Sequence, residues 1–600
     1  MKNNFKTSKV EQILTTNIDK NILLDGKKIV VGDWYFKNFD EYKKIIKDKN
    51  YSYTSNSIKT PEELSNDYIY VQELLDLYSL SLTKYLNKFH KTEYSHRYWS
   101  ILLLPWLVCY IPTHLFRWKT IDKILSDKKK VLFSNSCENR KIYSNTTLDY
   151  LQLISTNDYF NYLVFQKIMF FFKKIKKENI SFIDSKFNVK ELKSKKIYYK
   201  KVKILFYKFI ESFNIKFLKK NLIYIDNLLF KKKTFIKINV SLNQFPGILF
   251  NKTYEDLLLS ELDYEQTSRE KVEFEKIKNN NKKDEFINFL NTHIKFDIPK
   301  CFLEGFLILK KSTDSINLKP KLIVSAYHHH NERMKFWIAK NILRDKCKFF
   351  PATHGGGNHL MYPSCYQFER KIGDTKLIWS QPREINDVQI PATKFMDFKM
   401  HRRKNLHISY VGKPNTKYPV RITSDEFYDS FKNIKNIILL KENLNQNVFK
   451  SFIYLPHSSE NNFQKEELVK ILGEKYINKK NILHKYLRTS KLLICSYAET
   501  AFLEGVLTGP TILINNFKKT PLNDSDNKIQ ELLIKNKIVF ENINDAIDHI
   551  NKIAGDPYVW WSTKDVQNSI KQFTNKFLYL KKHPIQKWEF FLRKQLQELS

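Results

Sequence analysis

Short apolar runs alternate with helical patterns through the second half of this 600-residue chain. The runs are Lys321–Ala326, Lys348–Phe350, Leu377–Trp379, His407–Val411, Phe452–Leu455, Leu492–Cys495 and Thr511–Ile514. Helical patterns lie between several of them, notably Glu332–Ile342, Gln464–Lys475 and Glu499–Leu507. Such alternation predicts a mostly parallel sheet with helices on both faces, which is a Rossmann-like α/β domain. The first half is less regular. It offers strand-like runs at Lys28–Gly32 and Asn221–Ile225, and a helical stretch from Pro61 to Trp118 expected to break near Pro105 and Pro112. Residues 160–220, rich in Lys and Phe, read as helical; Lys271–Lys283 reads as an exposed helix or loop, and Asp565–Leu599 as a helical tail.

Single cores stop growing near about 250–300 residues, so this length calls for two large domains. The division falls at 1–315, 316–555 and a helical tail over 556–600. Apolar residues make up 42% of the chain, enough for sizeable cores, which excludes a disordered or fibrous protein. Lys+Arg 102 against Asp+Glu 63 leaves a net charge of +39, which suits an anionic partner. The lysines are spread along the whole chain with no nucleic-acid module, so an anionic membrane surface is the expected partner and nucleic acid the lesser one. The six cysteines are scattered without a CxxC pair, pointing to a reducing cytoplasm and no structural zinc. Met1–Lys6 has no apolar run behind it, so no secretory signal is expected, and the twelve residues Ile101–Pro112, with two prolines, are too short to span a bilayer.

Only 13 glycines occur, yet three are consecutive at Gly355, Gly356 and Gly357, after a strand and behind His354. A Gly-rich turn at a strand's carboxyl end can aim N–H groups at phosphate, with His354 as donor or general base. A second constellation is Ser496, Glu499 and Thr500 between a strand and a helix. Ser496 and Glu499 also fit a capping box, but the helix start itself forms an anion site that includes Thr500. Glu504, one turn later, is placed to bind a ribose hydroxyl, and His457 stands at another strand's carboxyl end. Asp33, after the first strand, is placed like an acceptor-side residue and is the second catalytic candidate beside His354. His328, His329, His330 and Glu332 invite a metal, but adjacent histidines diverge, so no metal is assigned and a place at the cleft rim is expected. Asp524-Ser525-Asp526, the one Asp-x-Asp, reads as a turn. No cofactor is called for.

Leu14-Thr15-Thr16 with Gly32-Asp33-Trp34, Arg97-Tyr98-Trp99 leading into Leu104–Leu107, and His354–Gly357 followed by Glu369, Asp374 and Trp379 form an ordered set. With Thr500–Glu504 before Gly509-Pro510-Thr511, and a tail reaching Trp588, this set resembles a family of transferases of bacterial surface-carbohydrate synthesis. The chain departs from it at Asn358-His359, Ser380 and Gly505. The resemblance implies a GT-B-like fold, two Rossmann-like halves facing a cleft with a C-terminal helix crossing back. It implies a glycosyltransferase moving a sugar from a nucleotide-sugar donor, CMP-linked by distant similarity, to a glycan or lipid-linked acceptor. Transfer of a phosphoalcohol or acyl group in the same pathway is the alternative, since fold alone does not separate them.

Overall fold

The structure is a computed structural model. It describes residues 10–599 apart from 22, 55–59, 128–129, 137–141, 176–179, 186–199, 227, 279–283, 345–346, 357–359, 397–405, 414–415, 423–430, 458–461, 479–482, 519–526 and 581.

Strands β1 (Glu11–Leu14), β2 (Lys28–Val31), β3 (Tyr51–Thr54), β4 (Val131–Ser136) and β5 (Ile180–Ser185) form a parallel sheet in the order β3-β2-β1-β4-β5. Strands β6 (Ile223–Asp226), β7 (Leu322–Ser325) and β8 (Lys348–Pro351) form a second, in that order. Its outer strand approaches a parallel pair, β9 (Lys376–Ile378) and β10 (Asp387–Gln389), through a bridge from Ala352 to Leu377. The third sheet runs β12-β11-β13-β14-β15, again parallel, from β11 (His407–Val411), β12 (Phe452–Leu455), β13 (Ser490–Cys495), β14 (Thr511–Ile514) and β15 (Val539–Phe540). In β6, β7 and β14 all four residues are buried. Continuous apolar runs of this kind require cover on both faces, which the intervening helices supply. The class is α/β with parallel sheets.

The strands expected at 321–326, 348–350 and 377–379 do not share a sheet with those of 407–514. The first two assemble instead with Ile223–Asp226, from the other side of position 315, and the third pairs with Asp387–Gln389. Local periodicity reports that a strand is buried but not which strand it pairs with.

The helix His96–Asp127 runs without interruption through Pro105 and Pro112, where a break was expected. An interior proline costs about 3 kcal/mol. Burial of Trp99, Ile101, Leu102, Leu103, Leu104, Trp106 and Leu107 offsets this, at about 1.5–3 kcal/mol for each large side chain. The helix is long and apolar enough to cross a membrane, but that apolar stretch is wholly buried inside the protein.

The tail is helical as expected, with Pro557–Trp561 followed by two longer helices. Lys564–Phe577 packs Val566, Ile570 and Phe573 against Phe502 and its neighbours beside the third sheet. Pro584–Gln597 carries Trp588 and Leu592 into the core of the second sheet beside Ile223, Val324 and Phe350. The Trp588 Nε1–H donates to the Pro391 carbonyl at 3.0 Å.

Candidate functional site

At the carboxyl edge of the third sheet, β13 ends at Cys495 and a four-residue turn leads to the helix Thr500–Thr508. Ser496 does not cap this helix. Its hydroxyl donates to the Val411 carbonyl at the end of β11 (2.9 Å), so the Ser-x-x-Glu capping box does not form. Glu499 occupies the N-cap with no side-chain cap bond. His457, two residues past β12, has its ring 6.4 Å from that of Tyr497 in the same turn. Burial, then Lys465, lowers its pKa.

The glycine loop that follows β8 reaches this same turn. The Gly356 N–H donates to Thr500 Oγ1 at 2.9 Å, joining two segments 144 residues apart. A Cβ on Gly356 would stand 2.9 Å from Thr500 N, 3.0 Å from the Glu499 carbonyl carbon and 2.8 Å from Leu503 Cδ1. Only glycine permits so close an approach of backbone to a helix start. A Cβ on Gly355 would meet just Thr500 Oγ1, at 3.4 Å. Gly357 lies outside the described residues. Glu504 is buried, and Lys394 Nζ lies 3.2 Å from its Oε1.

Because β7 and β8 are parallel neighbours, the residues beyond their ends meet. His354 lies with its ring 5.3 Å from that of His329, 4.7 Å from Tyr327 and 4.8 Å from Tyr366. Arg421 donates to the Tyr366 hydroxyl at 2.9 Å. His328–His330 form a short 3-10 turn, and His328 and His329 are buried in the core rather than at a cleft rim. Burial lowers the pKa of all four rings, and neighbouring cations and histidines lower it further: His328 and His330 fall to about 3, His329 and His354 well below their usual range. The rings are therefore neutral near pH 7.

One donor atom each from His328, His329 and Glu369 lies within 4.8 Å of the others, so these adjacent histidines do converge. The Lys376 ammonium, however, is 2.6 Å from Glu369 Oε2 and already neutralises it. A dication at this point meets a cation in place, which disfavours it.

Asp33 opens a 3-10 turn after β2, on the first sheet, and accepts a hydrogen bond from the Tyr53 hydroxyl. Gly32 before it has φ +72°, and a Cβ there would lie 2.4 Å from the Trp34 ring. Trp34 Nε1–H donates to the Thr15 carbonyl (2.8 Å), while buried Asp19 accepts from Thr16 N (3.0 Å) and Ser134 Oγ (2.8 Å). The motif residues near 15 and 33 thus form one hydrogen-bonded unit around a carboxylate that sequence reading missed.

Sequence reading also missed a cavity of about 440 Å3 among the helices of the first half, walled by Tyr110, Tyr143, Tyr150 and Tyr264. Two buried atoms of its lining residues, His114 Nε2 and Tyr150 Oη, have no hydrogen-bond partner. Its walls come from distant segments, so no local motif signals it.

A family model described as LIC12162 family transferase matches residues 12–592. The chain belongs to that family. A LIC12162 family member is a transferase, hence an enzyme. No curated protein matches the chain. Among solved structures, the wall teichoic acid polymerase TagF is 11% identical over 46% of this chain and 73% of its own, with a TM-score of 0.28. A second TagF structure is 10% identical over 48% of this chain and 85% of its own (TM-score 0.28). The Thermobaculum terrenum O-GlcNAc transferase, as a mutant, is 10% identical over 53% and 60%, with a TM-score of 0.26. The α/β class of this LIC12162 family transferase rests on its own parallel sheets, described above.

Proposed function

We propose that this transferase moves a sugar from a nucleotide-activated donor, CMP-linked if the distant family similarity holds, to a glycan or lipid-linked acceptor of surface polysaccharide. The observation that carries this is the Gly356–Thr500 contact: a glycine loop and an uncapped helix start meet at the carboxyl ends of strands. The partial positive charge of such a helix start attracts phosphate. In this reading Thr500 and the helix start hold the phosphates, with Gly355, Gly356, Ser496, Glu499 and His457 around them. Glu504 exchanges Lys394 for a ribose hydroxyl.

His354, neutral at rest, accepts the acceptor's proton or donates to the leaving phosphate. An arriving phosphate dianion raises its pKa toward the range where either role is efficient. No metal takes part, and Arg421 supplies positive charge beside the histidines. The tyrosine-walled cavity and Asp33 belong to the acceptor side, and the enzyme works in the cytoplasm, peripheral to the membrane.

The test is thermal stabilisation by CMP, UDP and GDP, followed by transfer assays with CMP- and UDP-sugars. A ligand held by the folded state alone raises the melting temperature with concentration. Stabilisation by none, together with turnover of a phosphoalcohol or acyl donor, would replace the glycosyl reading with the alternative. Tight binding to nucleic acid that falls steeply with salt, without nucleotide specificity, would replace both.

A further inference from the structure

The helix Lys200–Leu218 is apolar on two opposite faces. One side turns inward: Leu218 is buried, and Glu211 reaches the Arg333 guanidinium through bonds of 2.8 and 2.9 Å. The other presents Val202, Leu205, Phe206, Phe209, Ile210, Phe213 and Phe217 to solvent, a helical stripe in which Phe209 is 71% and Leu205 65% exposed. The stripe continues into the loop that follows the helix Lys232–Ser241. Phe245, itself exposed, stacks on Phe217 at 4.8 Å, and Asn214 holds the backbone of exposed Ile248 at 3.1 Å. Contiguous exposed apolar surface of this size marks an interaction site.

Charge identifies the occupant. Lys201, Lys203, Lys208, Lys216, Lys219 and Lys220 flank the stripe and are exposed, while the helix's single acid, Glu211, points inward. We infer that this surface docks on an anionic lipid bilayer, with the phenylalanines entering the headgroup–acyl boundary and the lysines meeting lipid phosphates. Large aromatic and aliphatic side chains bordered by lysine are the pattern of a helix lying in the membrane plane. A second copy of the chain fits poorly, because a two-fold contact on this face would set lysines against lysines. The docking helix is tied by Glu211–Arg333 to the helix Glu332–Ile342, which follows the histidine turn.

This inference sharpens the membrane expectation drawn from net charge and stands independently of the donor chemistry. The test is co-sedimentation of the full chain with vesicles of phosphatidylcholine alone or mixed with phosphatidylglycerol. Binding is expected to the mixed vesicles, falling as salt rises, and weakly if at all to the neutral ones. Phe206→Ser with Phe209→Ser and Phe213→Ser should abolish it. Lys201→Gln with Lys208→Gln should weaken it roughly 25-fold, at about fivefold per charge. All five side chains are solvent-facing, so an unchanged melting temperature confirms that each variant is folded. No binding to mixed vesicles, or equal binding by the serine variant, would overturn the inference. So would a wild-type dimer that the serine variant converts to monomer, which would assign the face to a second copy. None of these failures would alter nucleotide-induced stabilisation.

Discussion

Gly356→Ala tests the contact on which the proposed donor site depends. The new methyl would sit 2.9 Å from Thr500 N and 3.0 Å from the Glu499 carbonyl carbon, both backbone atoms that cannot turn aside. Overpacking of this kind costs about 1–3 kcal/mol. If the loop withdraws to relieve it, the bond from Gly356 N–H to Thr500 Oγ1 is lost, at about 0.5–1.5 kcal/mol. These are alternatives: about 1–3 kcal/mol of lower stability if the loop stays, or about 0.5–1.5 kcal/mol of weaker nucleotide binding if it moves. Urea melts and nucleotide titration of the same protein together distinguish them. At 1.4 kcal/mol per decade, a loop that moves weakens nucleotide binding by about 2- to 12-fold. Gly355→Ala is the internal control, since its methyl meets only a hydroxyl oxygen at an ordinary 3.4 Å. It should change either quantity by less than about 0.5 kcal/mol. Equal behaviour of the two variants would refute the idea that the loop is pressed against the helix start.

His354→Ala should lower turnover by about 100- to 10,000-fold, the range for a proton-transfer residue, while leaving the melting temperature within a few degrees; retained turnover would remove its catalytic role. Stability should fall below pH 6.5. His328 and His330 drop from 6.5 to about 3 on folding, so the unfolded chain binds more protons between those values, and stability is full above 6.5 and lost as pH falls. The slope for the two is up to about 2.7 kcal/mol per pH unit, measurable by urea melts at pH 7.5 and 5.5; equal stability at both would contradict it. Glu211→Gln leaves the fully buried Arg333 without its counter-charge and should destabilise by about 3 kcal/mol in the same assay, whereas a change under about 0.5 would mean the pair is not formed.

Much of this was legible in the sequence because it is local. The strands at 28–31, 348–351, 452–455 and 511–514 announce themselves as short apolar runs bounded by polar residues. The scarcity of glycine made Gly355–Gly357 conspicuous, and the turn after β13 followed from a strand running into a helix. What was not legible depends on partners far away in the chain. β4 and β5 hide in lysine-rich surroundings, and Ile180–Ser185 was absorbed into a helical reading of 160–220. Ser496 looked like a helix cap because its spacing to Glu499 is right, but the neighbouring strand offers Val411's carbonyl and wins the hydroxyl. Pro105 and Pro112 look like breaks because their effect is local, while the packing that overrides them is tertiary, from the preceding helix Pro61–His90 and from the distant helix Glu332–Ile342. The histidine turn looked like surface because three polar rings in a row are seldom buried; nothing nearby in sequence foretells Tyr366 and Arg421 closing over it.

The pairing of Ile223–Asp226 with Leu322–Ser325 has a practical corollary. A fragment starting near residue 316 would leave the inner strand of the second sheet with a bare row of amides and carbonyls along one side, inviting intermolecular association. The complementary fragment would carry an orphan apolar strand with nothing to join. The two pieces are expected to fold only when co-expressed, so any attempt to isolate the C-terminal half must begin upstream of residue 223.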